Sequence, residues 1–148
     1  MMAMNVIERF RKLCVKRGLT PGALLDANPE DFDILLLALR REFPEARNYS
    51  EREVNQALHQ WLQSAGAMLE VDHVELRRWL VDFAILARDA YGHAYTLAPT
   101  PARLQKMEID FAGIDFKREF VDANAAELHK RATRKAAWLQ TQNRSANG

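Results

Sequence analysis

Cysteine is nearly absent from this chain. Cys14 is the only one among 148 residues, so no internal disulfide can form and no cysteine pair can hold a metal. Cys14 falls at helical spacing from Phe10 and Ile7, and so reads as a small buried apolar side chain, not a reactive thiol. Long apolar runs are also missing: no stretch could cross a bilayer. Met1-Met2-Ala3-Met4 lacks the basic and apolar regions of a secretory signal, so the expected location is the cytoplasm, with no membrane partner. Histidines are few and dispersed. His59, His73, His93 and His129 have no second histidine three to five residues away, as a metal-binding helix would require. There is no glycine-rich phosphate loop and no Gly-x-Ser-x-Gly elbow. Acid pairs such as Glu51 and Glu53 are explained by helix starts, where negative charge meets the positive end of the dipole. No catalytic residue, metal or cofactor is therefore expected, and an enzyme is not the reading these residues favour.

A strong charge of either sign is lacking too, for the formal net charge is +1. The distribution is uneven, however. Residues 1–20 carry five basic residues against Glu8 alone, and residues 117–148 carry seven against three acids, a net of +4 at each end. The middle is left with −7. This weighs against nucleic-acid binding by the middle segment, since such binding rests first on lysine and arginine facing phosphates.

What is present is a hydrophobic share of 48%, enough for the core of one domain over residues 1–148. Asn5 with Glu8 predicts a first capped helix with Val6, Ile7, Phe10, Leu13 and Cys14 on one face, stopping near Gly18. Thr20-Pro21 predicts a short second helix, and Asn28-Pro29 a third that ends at Pro44. The third carries Phe32, Leu35, Leu36, Leu39 and Phe43 on one side and Ile34 and Leu37 on others. It is therefore expected to be covered on more than one side, with the first helix across it.

Ser50 with Glu53 is a capping box, followed by the stripe Val54, Leu58, Trp61 and Leu62. Gly66 breaks this helix. Asp72 with Glu75 starts the next, which clusters Leu76, Trp79, Leu80 and Phe83 on one face and turns Val74, Arg78 and Val81 the other way. Ile85-Leu86-Ala87-Arg88, a turn at Gly92, and Ala94-Tyr95-Thr96-Leu97 then predict a short β-hairpin. Leu104 and Met107 are positioned to pack back on the core. From Asp115 a long helix over 115–141 is expected. Its stripe Val121, Ala125, Leu128, Ala132, Ala136 and Leu139 is narrow and alanine-rich, which lets a second helix approach closely. Residues 142–148 read as a disordered tail. The predicted class is mainly α: a winged-helix-like core with a small hairpin, flanked by N-terminal helices and a long C-terminal helix.

Three blocks recur in order. They are Tyr49-Ser50-Glu51-x-Glu53-Val54-Asn55, Asp72-His73-x-x-Leu76-Arg77-Arg78-x-Leu80-Val81-Asp82, and Leu86-x-Arg88-Asp89-x-x-Gly92-x-x-Tyr95. Over residues 40–97 they resemble a bacterial family called domain of unknown function 2087, some members of which are described as transcriptional regulators. The resemblance implies a winged-helix-like domain and no known activity. Two departures stand out. The family usually has glycine where this chain has Ala84, which suggests a different cap for the preceding helix. The link from Gln63 to Val71 is also long.

If the helix from Asp72 reads duplex DNA, Arg77 and Arg78 are its only cations, able to fork to a guanine or hold a phosphate. Arg88 and His93 of the hairpin would touch the backbone. Lys130, Arg131, Arg134 and Lys135 on one face of the final helix would add a basic strip. The bland readings are ion pairing of Arg77 and Arg78 with nearby carboxylates, among them Asp82 for Arg78, a first-turn packing role for His73, and a solvated face for the final helix. The leading expectation is double-stranded DNA as partner, with a homodimer through the C-terminal helix, since two-fold readers need one. The alternative is a protein-interaction module using Val74 and Val81.

Overall fold

The computed structural model describes residues 5–147. The chain runs α1 (Val6–Cys14), α2 (Pro21–Ala27), α3 (Pro29–Arg40), β1 (Tyr49–Ser50), α4 (Glu51–Leu62), α5 (His73–Asp82), β2 (Leu86–Arg88) and β3 (Ala94–Leu97). A 3-10 turn at Ala102–Leu104, α6 (Gln105–Asp110) and α7 (Phe116–Asn147) follow. The predicted class holds: mainly helical, with a small antiparallel sheet and a long C-terminal helix.

The helix starts follow the sequence signals. The Asn5, Thr20, Ser50 and Asp72 side chains each accept a backbone N–H from the first turn of their helices. Only Ser50 and Glu53 close the full box, with both bonds at 3.1 Å. Glu8 and Glu75, expected to reach back, contribute their backbone N–H groups alone. Asn28 makes no side-chain cap, and Pro29 presets the start of α3 instead.

α3 is the centre of the core. Every side chain from Ile34 to Leu39 is buried, covered by α1 and α2 among others. The helix itself stops at Arg40, but Phe43 stays buried and meets the Tyr49 ring edge-on at 5.3 Å. α4 contributes Val54, Leu58 and Trp61, and α5 contributes Leu76 and Leu80.

The long link between α4 and α5 is not slack. Ala65, Met68 and Leu69 are buried. The Leu19 amide donates to the Met68 carbonyl at 3.0 Å, and the Glu70 amide donates to the Leu19 carbonyl at 2.7 Å. The link is thereby stitched to the segment before α2, which fixes where α5 begins.

The end of α5 corrects the reading of Ala84. The Ile85 amide donates to the Leu80 carbonyl and the Ala84 amide to the Val81 carbonyl, the paired bonds of a Schellman cap. Ala84 sits at φ +60°, so the left-handed cap is kept without the glycine that suits it, at a cost of about 1–2 kcal/mol. Burial of Leu80 and Ile85 on either side of the cap offsets that strain.

The strands pair in the order β1-β3-β2, all antiparallel. Leu86 faces Leu97, Arg88 faces Tyr95, and Tyr95 in turn faces Tyr49 of β1. The hairpin is as predicted. β1 was legible only as the start of a helix, because two residues carry no alternation.

α7 departs furthest from expectation. Its first half packs on α1 through Phe116, Phe120 and Ala123, with Phe10 and Phe116 edge-on at 4.8 Å. The Asn124 side-chain Nδ2 donates to the Cys14 carbonyl at 3.0 Å. The predicted stripe of Val121, Ala125, Leu128, Ala132, Ala136 and Leu139 lies on the exposed side instead. From Leu128 onward every described side chain is exposed. The helix continues to Asn147, over residues expected to form a tail, since nothing before Gly148 breaks it.

Candidate nucleic-acid interface

α5 is oriented by its apolar side, which buries Leu76 and Leu80. Its outer side therefore faces away from the core and toward the β2–β3 hairpin. Between them lies a groove of about 190 Å³. Val74, Arg78, Val81 and Asp82 form the α5 wall, Arg77 its inner edge, and Arg88 and Tyr95 the hairpin side. Tyr95 is buried beneath it.

The two neighbouring arginines of α5 have different environments. The Arg77 guanidinium donates to the Asn55 side-chain oxygen and pairs with Glu51 at 2.9 Å, both on α4. It also lies 5.9 Å from the Tyr95 ring centroid. Arg77 thus clamps α5 to α4 and the sheet, with Nη1 engaged by Asn55 and Nη2 by Glu51. Arg78 is exposed and, among the described residues, makes no ion pair and no side-chain hydrogen bond. The pairing of Arg78 with Asp82 expected from their spacing is not formed.

Arg88 is the second unpaired cation of the groove. Its guanidinium lies over the hairpin turn, where a Cβ added at Gly92 would come within 2.2 Å of it. The exposed Arg88 side chain can swing aside, so it is the φ of +72° at Gly92 that favours glycine at this position. The turn is braced by Asp89. Its carboxylate accepts the His93 N–H at 2.8 Å, and this bond holds the acid below the usual carboxylate range. His93 is exposed beside it, and Tyr91 stands at the tip with 84% of its surface free.

Val74 is 43% exposed. Val81 is only half-buried and rests partly on the core. Both line the groove, so the apolar alternative retains one partly exposed side chain and one shared with the core.

Lys130, Arg131, Arg134 and Lys135 are all exposed on α7. Arg131 and Arg134 share Glu127, at 3.3 and 3.4 Å. Lys130 and Lys135 have no acid partner among the described residues. Trp138, four residues after Arg134 and seven after Arg131, shares their side and is 59% exposed. α7 packs on α1, and among the described residues no ion pair or hydrogen bond joins this strip to α5 or the hairpin. The sequence candidates therefore separate: Arg77, Arg78 and Arg88 line one groove, His93 lies in the hairpin turn outside that lining, and the α7 strip lies elsewhere.

Two side chains and one contact escaped the sequence reading. Tyr91 could have been found from the Asp89–Gly92 turn, which puts it at the tip. Trp138 could have been found from its spacing to Arg131 and Arg134. The meeting of the His59 and His73 rings at 6.1 Å had no signal, because it depends on how α4 and α5 pack. Among the described residues no three His, Cys, Asp or Glu side chains gather as a metal site needs. No described helix is long and apolar enough to cross a membrane.

Residues 26–97 match the model of a family described as an uncharacterized protein conserved in bacteria, DUF2087. The matched segment runs from the end of α2 through β3 and so contains the whole groove. No curated protein and no solved structure matches the chain.

Proposed function

This chain belongs, through residues 26–97, to the bacterial DUF2087 family, and on that premise we propose that it is a winged-helix DNA-binding or transcription-regulatory protein of the cytoplasm. It is a binding module and not a catalyst. The element order α3-β1-α4-α5-β2-β3 and the strand order β1-β3-β2 support the winged-helix reading. In such an arrangement the second helix of the pair, here α5, lies in the major groove and the hairpin beside it meets the backbone.

The observation that carries the proposal is the pair Arg78 and Arg88. Both cations line one groove between reader helix and hairpin, and neither has an acid partner among the described residues. An arginine whose donors are free can form the bidentate bonds that guanine or phosphate accepts. Arg77 supports the reader helix without touching DNA. His93 and Tyr91 at the hairpin flank the same approach, and Lys130 and Lys135 add a second basic contact. A homodimer through α7 completes the reading by presenting two reader helices.

A second reading is favoured by one observation: the exposed Val74 in the same groove suits an apolar protein partner. The two separate in one titration of labelled mixed-sequence duplex DNA at low and near-physiological salt. The DNA reading expects salt-sensitive binding that falls at least tenfold in Arg78→Ala/Arg88→Ala and persists in Val74→Asp. Absence of binding at low salt overturns it, because non-specific phosphate attraction appears there first.

A further inference from the structure

We infer that the second half of α7, from Leu128 on, binds single-stranded nucleic acid, with an unpaired base stacked on the Trp138 ring and phosphates on the cations around it. The inference deepens the second basic contact of the preceding reading by giving it a ligand of its own, and it stands apart from the groove at α5. Residues 128–148 contain five lysines and arginines and no aspartate or glutamate. The five are Lys130, Arg131, Arg134, Lys135 and Arg144, all exposed. Arg131 and Arg134 share Glu127, while Lys130, Lys135 and Arg144 have no acid partner among the described residues. Five cations thus draw on a single carboxylate, and the excess of positive charge suits a polyanion. α7 meets α1 through Phe116, Phe120, Ala123 and Asn124, all of which precede this half.

The position of Trp138 selects the kind of polyanion. At about 100° per residue the five cations occupy one half of the helix circumference, over about 21 Å of its length. Trp138 lies inside that half, between the directions of Arg134 and Arg131, and one turn after Arg134 and Lys135. It is 59% exposed, and among the described residues neither a ring nor a guanidinium stacks on it. A bare indole set among cations matches what an unpaired nucleotide offers, a flat base beside a phosphate. Paired bases are already stacked on their neighbours, so duplex DNA would meet the cations and leave the indole idle. A membrane would require the reverse layout, since the large apolar residues of an interfacial helix lie opposite its cations. Here the opposite side presents Leu128 and Leu139 with alanines between them, and the tryptophan is on the charged side.

Fluorescence anisotropy of a labelled oligothymidylate of about 12 nucleotides tests this over a range of salt. The unsubstituted protein should bind it with a slope of log affinity against log salt of about −3, for about four phosphates at about −0.7 each. Trp138→Leu should weaken binding about tenfold, with the slope and the melting temperature unchanged. Lys130→Gln/Lys135→Gln should make the slope shallower by about 1.4. Arg78→Ala/Arg88→Ala keeps failure of the groove separate. That variant should bind the oligothymidylate as the unsubstituted protein does, and more tightly than it binds a mixed-sequence duplex of the same length. An unchanged affinity in Trp138→Leu overturns the inference, as does loss of oligothymidylate binding in Arg78→Ala/Arg88→Ala. Equal binding of duplex and single strand by the latter variant overturns the choice of ligand. So does binding of the unsubstituted protein to vesicles of anionic phospholipid with none to the oligothymidylate at low salt.

Discussion

α4 and α7 each carry an apolar stripe at helical spacing, and their fates are opposite. On α4, Val54, Leu58 and Trp61 are buried by α5, the sheet and the rest of the core. On α7, Val121, Leu128 and Leu139 face outward, while Phe116, Phe120 and Ala123 on another side do the packing. A period tells which residues share a side; it does not tell what lies against that side. Aromatic size decided the matter on α7. Phe116 and Phe120 bury more apolar area than the alanines of the stripe, and Phe10 and Phe111 stand ready to meet Phe116.

The contrast is broken most directly by truncating one leucine from each stripe. Leu58→Ala should cost about 2–5 kcal/mol, as removal of a buried leucine does. Leu128→Ala, measured in dilute protein, should change stability by less than about 0.5 kcal/mol. Chemical denaturation of both variants checks this, and equal costs would show that the α7 stripe is covered within the monomer. Gly66→Ala sharpens the same side of the comparison. An added Cβ would lie 2.1 Å from the Trp61 ring, and Trp61 is fully buried on the α4 stripe. The variant should lose about 1–3 kcal/mol in the same assay.

The two arginines of α5 repeat the contrast at the level of single side chains. Arg77→Ala should destabilise by about 1 kcal/mol, because it releases Glu51 and Asn55 at a partly exposed site. Arg78→Ala should leave the melting temperature nearly unchanged. Ala84→Gly, at the end of the same helix, should stabilise the protein by up to about 1 kcal/mol, by relieving the left-handed alanine at some cost in chain entropy.

The smallest effect is a matter of pH. Glu53 is held at about 2, first by its bond from the Arg47 side chain and then by the Ser50 amide. A depressed carboxylate contributes stability above its ordinary value of 4.5 and loses it as the pH falls toward 2. Carbon NMR titration should place the Glu53 midpoint well below the ordinary 4.5, and Arg47→Ala should raise it.

Much of the fold was legible because its signals are local. Caps at Asn5, Thr20, Ser50 and Asp72, and the turn at Gly92, each need only a few neighbouring residues. β1 was not legible, since two residues become a strand only when β3 is beside them. The cap at Ala84 was misjudged because residue type alone suggested a change of geometry, whereas burial of Leu80 and Ile85 holds the old one. For the candidate site, the sequence named Arg77, Arg78 and Arg88 but could not rank them. Ranking needed Glu51 and Asn55, which reach Arg77 from a different helix.

The measurement that bears most directly on the account is the salt dependence of duplex DNA binding by the unsubstituted protein and by Arg78→Ala/Arg88→Ala. Each phosphate contact contributes about −0.9 to the slope of log affinity against log salt. If Arg78 and Arg88 each hold a phosphate, the variant's slope should be shallower by about 2, with the melting temperature unchanged. Identical slopes, or no binding by the unsubstituted protein at low salt, would contradict the groove as a nucleic-acid interface.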